Sequence, residues 1–68
     1  MSIHYNRSKS ALYLHGNRVF GSADKFNNWM NSKCHAFGDR KPIDQILTIE
    51  GIQLVDNEIS KVEHGIFG

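Results

Sequence analysis

Residues 38 to 68 read GDRKPIDQILTIEGIQLVDNEISKVEHGIFG, and the order of signals in this stretch decides the fold. Pro42 suits the first position of a short helix, because its fixed φ is helical and its missing N–H would have no intrahelical partner there. Ile43, Ile46 and Leu47 follow at i, i+3 and i+4, on one face. A second start comes at Thr48, whose hydroxyl can accept an N–H bond two or three residues on, with Glu50 in the positive first turn. Leu47 before this cap and Ile52 after it have the spacing of a hydrophobic staple. Ile52, Val55, Ile59 and Val62 then recur at i, i+3, i+7 and i+10, the stripe of an amphipathic helix, which Gly65 stops.

Moving outward toward the N-terminus, residues 31–41 form the longest irregular stretch, with Phe37 as its one large apolar residue and Gly38-Asp39-Arg40 as a tight turn. Before it, Ala23, Phe26, Trp29 and Met30 lie on one face of a helix capped by Ser22 and running to about Asn31. This aromatic stripe reads as core, since aromatic side chains carry large buried area. An earlier helix is expected from about Ser10, or slightly before, to Phe20, with Leu12, Gly16 and Val19 in line and Gly21 as its end. Gly16 weakens a helix by about 1 kcal/mol relative to Ala, so it marks either a close helix–helix approach or a helix cut from an upstream segment. Residues 1–9 are polar and mixed and are expected to be loosely ordered, leaving 10–68 as the domain. Every apolar pattern has a period near 3.6, so the fold class is all-α: a small bundle of four helices, the third very short, with the last as its spine.

A chain of 68 residues is one domain with a small core. Its single cysteine forms no internal disulfide, no apolar run approaches the roughly 20 residues of a membrane span, and the expected location is the cytoplasm. A net charge of +1 argues against a free-standing nucleic-acid binder. Catalysis is not expected. Cys34 and His35 are adjacent, so their side chains diverge and no third group orients them. The four histidines show no paired metal spacing with Cys34, and the glycines are isolated rather than gathered in a phosphate loop.

Several residues remain for partner contact. Leu54 lies opposite Ile59 on the last helix, with Glu58, Lys61 and His64 near it, and reads either as an isolated surface leucine or as an interface anchor. Arg40 either holds a carboxylate inside the domain, with Glu63 the natural candidate, or faces a ligand. Ile66, Phe67 and Gly68 follow a helix stop and either fold back on the core or go to a partner.

The runs VFGSADKFNNWM, FGDRKPIDQIL and TIEGIQLVDNEISKVEHGIFG resemble the toxin-binding domain of the MbcA/ParS/Xre-type antitoxins over about residues 19–68. The matching residues include Val19, Phe20, Gly21, Trp29, Gly38, Arg40, Pro42, Glu50, Gly51, Glu63, Gly65 and Phe67, whereas Met30 stands where Leu is usual and the loop before Gly38 lacks a usual Pro. The resemblance implies an antitoxin of a type II toxin–antitoxin system that covers the active-site mouth of a RES-domain, NAD-degrading toxin. No cofactor is expected from the residue patterns. In that family a separate N-terminal helix-turn-helix segment binds DNA; none is found here, so the chain reads as a minimal antitoxin or an excised domain. Partner contact is expected through Arg40, Leu54, Glu58, Lys61, His64, Ile66, Phe67 and Gly68. The alternatives are a dimerisation module of a helix-turn-helix transcriptional regulator, in which a homodimer forms, and an orphan domain for another protein.

Overall fold

The computed structural model describes residues 3–65, and within them the fold is all-α without a β-strand. The elements are α1 (Ile3–Phe20), α2 (Ala23–Met30), a 3₁₀ turn (His35–Phe37), α3 (Pro42–Gln45) and α4 (Ile49–Glu63). Local chemistry accounts for most boundaries. The Ser22 hydroxyl accepts from the Lys25 N–H at 3.2 Å and Thr48 Oγ1 accepts from the Gly51 N–H at 3.0 Å, so both expected caps are made. Pro42 opens α3, and Gly21 and Gly65, at φ 86° and 74°, follow the ends of α1 and α4 in the left-handed conformation that stops a helix.

The core joins Leu12 of α1, Phe26 and Met30 of α2, Ile46 after α3, and Ile52, Val55 and Ile59 of α4. The expected stripe of α4 is therefore buried, with Val62 half-buried at its end. On α2, Phe26 and Met30 are fully covered and Trp29 is half-buried, but Ala23 is exposed, since the stripe begins one turn later than its spacing suggested. Tyr13 meets Phe26 edge to face at 5.4 Å and Phe20 lies 5.3 Å from Trp29, so aromatic contacts close the α1–α2 corner. Gly16 sits under the Phe26 ring: a Cβ there would come within 2.5 Å of Phe26 Cδ1, which identifies close helix packing as the reason for this glycine.

Three sequence expectations are corrected. First, α1 begins at Ile3, a full two turns before Ser10. No apolar stripe announces this extension. It is held instead from a distance, by the Tyr5 hydroxyl donating to the Ile46 carbonyl at 2.6 Å. Second, Leu47 makes no staple: it is 78% exposed, while Ile52 is buried. Third, Glu63 is not paired with Arg40. Its carboxylate lies 3.0 Å from His15 Nε2 and 3.4 Å from Arg18, both on α1.

The contacts between α1 and α4 rise together along both helices. Tyr5 meets Ile46 just before α4, Leu12 meets Ile52 in the core, and His15 meets Asp56 and Glu63. The two longest helices thus run in the same direction and form the frame on which the exposed faces are displayed. In the loop, Gly38 and Asp39 take consecutive left-handed conformations, φ 67° and 64°, and the Cys34 N–H donates to the Arg40 carbonyl at 2.9 Å. Aspartate tolerates this region better than most residues. Phe37 packs partly against the core, as expected of a loop anchor.

Candidate protein-binding site

The outward strip of α4 is set by the same 3.6-residue period that buries its other side. With Ile52, Val55 and Ile59 turned inward, Leu54, Glu58 and Lys61 fall at i, i+4 and i+7 on the far side. Leu54 is 53% exposed. Beside it the Lys61 ammonium donates to Glu58 at 3.0 Å, one turn of helix apart, an exposed pair of small energetic weight that sets local charge rather than stability. His64 caps the end of α4 through its backbone N–H to the Ser60 carbonyl, and its ring is in solvent. Three of the predicted residues thus share one face of α4, with His64 at its C-cap. Arg40 is not among them: it is exposed in the loop, makes no ion pair among the described residues, and is tied down only through its backbone. Ile66, Phe67 and Gly68 lie outside the described residues.

Behind α4, on the side facing α1, stands a constellation that the sequence did not reveal. The His15 ring is 17% exposed and both of its nitrogens are occupied, Nδ1 at 2.7 Å from Asp56 Oδ1 and Nε2 at 3.0 Å from Glu63 Oε1. Both partners are carboxylates, so the two bonds together require the doubly protonated imidazolium. The hydrogen bonds to Glu63 and Asp56 hold the His15 pKa above its ordinary value, against the opposing effect of burial, and His15, with Arg18 close by, holds Glu63 below the usual carboxylate range. The only sequence signal was position, one residue before the close-packed Gly16 and therefore near the α1–α4 seam.

This clamp makes a signed prediction. A histidine with a raised folded pKa contributes stability that is complete below its unfolded value, near 6.5, and is lost as pH rises through the higher folded value. The melting temperature is therefore expected to fall as pH rises from about 6 to 9 in low salt, and a His15→Gln variant to lose most of that slope. Melts at matched ionic strength check it. A wild-type slope equal to that of the variant would show that the clamp does not couple to folding.

A groove of about 370 Å³ also lies between α1 and α4, with Leu12 and Ile52 lining it and Ser8, Gln53 and Asn57 at its edge. Its one carboxylate, Asp56, is already bonded to His15, so it presents no acid–base pair. Among the described residues no group of three or more His, Cys, Asp or Glu is placed to hold a metal, and no helix is long and apolar enough to cross a membrane. The exposed chemistry is that of a helix face offering one leucine among charges.

Comparison with known proteins agrees with that character. Neither curated proteins nor solved structures return a match. The family model described as the antitoxin Xre/MbcA/ParS C-terminal toxin-binding domain matches residues 15–65, which takes in the last third of α1, all of α2, the loop, α3 and all of α4. With most of its length inside that match, including α2, α3 and α4 whole, the chain belongs to the Xre/MbcA/ParS family of antitoxin toxin-binding domains.

Proposed function

We propose that this domain neutralises a RES-domain toxin, of the type that degrades NAD, by covering the mouth of its active site with the outward strip of α4 and residues 66–68 that follow it. The observation that carries this reading is the match to a toxin-binding domain over residues 15–65. The geometry supports a place for the contact. Leu54 supplies an apolar anchor beside the Glu58–Lys61 pair, and Gly65, at φ 74°, stops the helix. Beyond that stop the sequence continues Ile66-Phe67-Gly68, whose two large apolar side chains suit an apolar pocket on the toxin. Glu58, Lys61 and His64 would set orientation at the rim, and Arg40 in the loop is proposed as a more distant contact. A cytoplasmic setting follows from an NAD-consuming partner.

The test is co-expression with a RES-domain toxin encoded beside this chain, reading growth and cellular NAD. Wild type is expected to restore both. Leu54→Asp, and separately deletion of Ile66 to Gly68, are each expected to weaken neutralisation tenfold or more, on the order of 1.4 kcal/mol of binding, while the melting temperature of the isolated domain stays within a few degrees of wild type. If both variants neutralise as well as wild type, the contact lies elsewhere. If no NAD loss accompanies toxicity, the toxin is of another class.

A further inference from the structure

We infer that α1 and α4 carry complementary outward faces through which one copy of this chain docks on another, head to tail. The face of α1 that points away from the core carries Ile3, Arg7, Ser10 and Leu14 at i, i+4, i+7 and i+11, followed one turn later by Arg18. All of these are exposed, Ile3 by 62% and Leu14 by 72%, an unusual outlay of apolar surface for a helix whose other side already fills the core. Across its 18 residues α1 bears Arg7, Lys9 and Arg18 and not one acidic residue.

The outward face of α4 has the opposite sign. Glu50, Leu54, Asn57 and Lys61 repeat the same i, i+4, i+7, i+11 spacing, with Glu58 alongside, so a single exposed leucine has a carboxylate one turn before it and another one turn after. Each face therefore offers a leucine within a charged frame, cationic on α1 and mostly anionic on α4. Two α1 faces would oppose Arg to Arg, and two α4 faces would oppose Glu to Glu, whereas α1 against α4 matches.

Charge also selects the direction. With Leu14 beside Leu54 and the helices running the same way, Arg18 stands level with Glu58, each four residues past its leucine. Glu50 then stands level with Ser10, within about one helical turn of Arg7. Reversing one helix instead sets Arg18 level with Glu50 but also Lys61 level with Arg7, seven residues from each leucine, so one like-charge pair offsets the attractive one. The parallel register is the one without a clash. Arg18 and Glu58 are free to exchange partners, because their contacts within the chain, to Glu63 at 3.4 Å and to Lys61 at 3.0 Å, are exposed pairs of small weight. The contact is heterologous, the face given by one copy differing from the face taken by the next. It covers Leu54 and Glu58, so a docked copy and the toxin exclude each other; that consequence rests on the toxin-facing role of the α4 strip, and the mass measurements below do not.

Sedimentation of the full chain tests the docking. The weight-average mass of wild type is expected to rise from the 7.7 kDa of one chain toward multiples of it between micromolar and millimolar concentration, and to fall back in high salt. Leu14→Asp and Leu54→Asp are each expected to remain at one chain mass with an unchanged helical spectrum. Mixed in equal amounts they are expected to form a species of two chain masses and no larger, since the first keeps an intact α4 face and the second an intact α1 face. Wild type that stays monomeric to millimolar concentration overturns the inference. So does a mixture that fails to associate, and so does association that survives Leu14→Asp. Loss of toxin neutralisation by Leu54→Asp but not by Leu14→Asp, with the mixing result intact, separates the two contacts. The reverse pattern would remove the toxin strip from α4 and leave the docking standing.

Discussion

Gly51→Ala is expected to destabilise the domain by about 2–3 kcal/mol, against the ordinary gain of about 1 kcal/mol when alanine replaces glycine inside a helix. Gly51 lies in the first turn of α4, buried, where that helix crosses the end of α3. A Cβ built on it overlaps the Gln45 carbonyl oxygen and lies 2.6 Å from the Gln45 carbonyl carbon. The obstacle is backbone and cannot rotate aside. Relief requires α3 to move, and α3 is fixed at both ends by buried groups, Pro42 at its start and Ile46 just beyond its last turn, the latter also receiving the Tyr5 hydroxyl. A domain of this length has about 3–10 kcal/mol in total, so the loss is a large share and corresponds to a drop of roughly 10 °C or more in the melting temperature. A melt followed by far-ultraviolet circular dichroism measures it. A variant that melts at or above the wild-type temperature would mean that the α3–α4 corner yields at little cost and that helix propensity decides the sign.

The need for a glycine at this corner also shows where sequence reading ends. The boundaries of α2, α3 and α4 were legible because their signals are local: a hydroxyl three residues from the N–H it accepts, a proline with preset φ, a glycine in the left-handed region. The inward stripe of α4 was legible for the same reason, since period alone puts Ile52, Val55 and Ile59 on one side and Leu54 on the other. What period cannot supply is which distant residue completes each contact. The first two turns of α1 carry no apolar stripe, and the hydrogen bond that ties them to the rest of the fold spans 41 residues. Glu63 was correctly expected to need a cation, yet the partner was decided by α1 running alongside α4, which brings His15 and Arg18 within reach and leaves Arg40 in the loop. Leu47 has staple spacing but ends exposed, because the chain between α3 and α4 turns it outward. Of the candidate site, the α4 portion was read from the sequence, while Arg40 was placed with it only by residue type.

Ile59→Asp is expected to abolish the cooperative fold of the isolated domain. Ile59 has no exposed surface and sits in the α4 stripe beside Val55, between helices contributed by both halves of the chain. Loss of the aliphatic side chain alone costs about 2–5 kcal/mol, as Ile59→Ala would show, and this already approaches the total. A carboxylate adds a further penalty of several kcal/mol, since among the described residues no buried polar or charged side chain accompanies the core to pair with it. The group escapes that penalty only by taking up a proton or by opening the helices, and near neutral pH opening is the cheaper course. The expected observation is a chain with reduced helical signal, no sharp thermal transition and exchange of core amides at unfolded rates. Ile59→Ala supplies the link to function. If it leaves the chain partly unfolded, a partner that binds only the folded form restores it by about RT ln(1 + [L]/Kd), some 4 kcal/mol at a thousandfold excess of ligand over Kd. Helicity regained on adding toxin would then show that toxin recognises the folded α4 face. Toxin binding by Ile59→Ala with no gain of helicity would show that it recognises a segment that need not fold, and would remove the helix face from the interface. A sharp melt for Ile59→Asp within a few degrees of wild type would contradict the burial on which the whole arrangement of α4 rests.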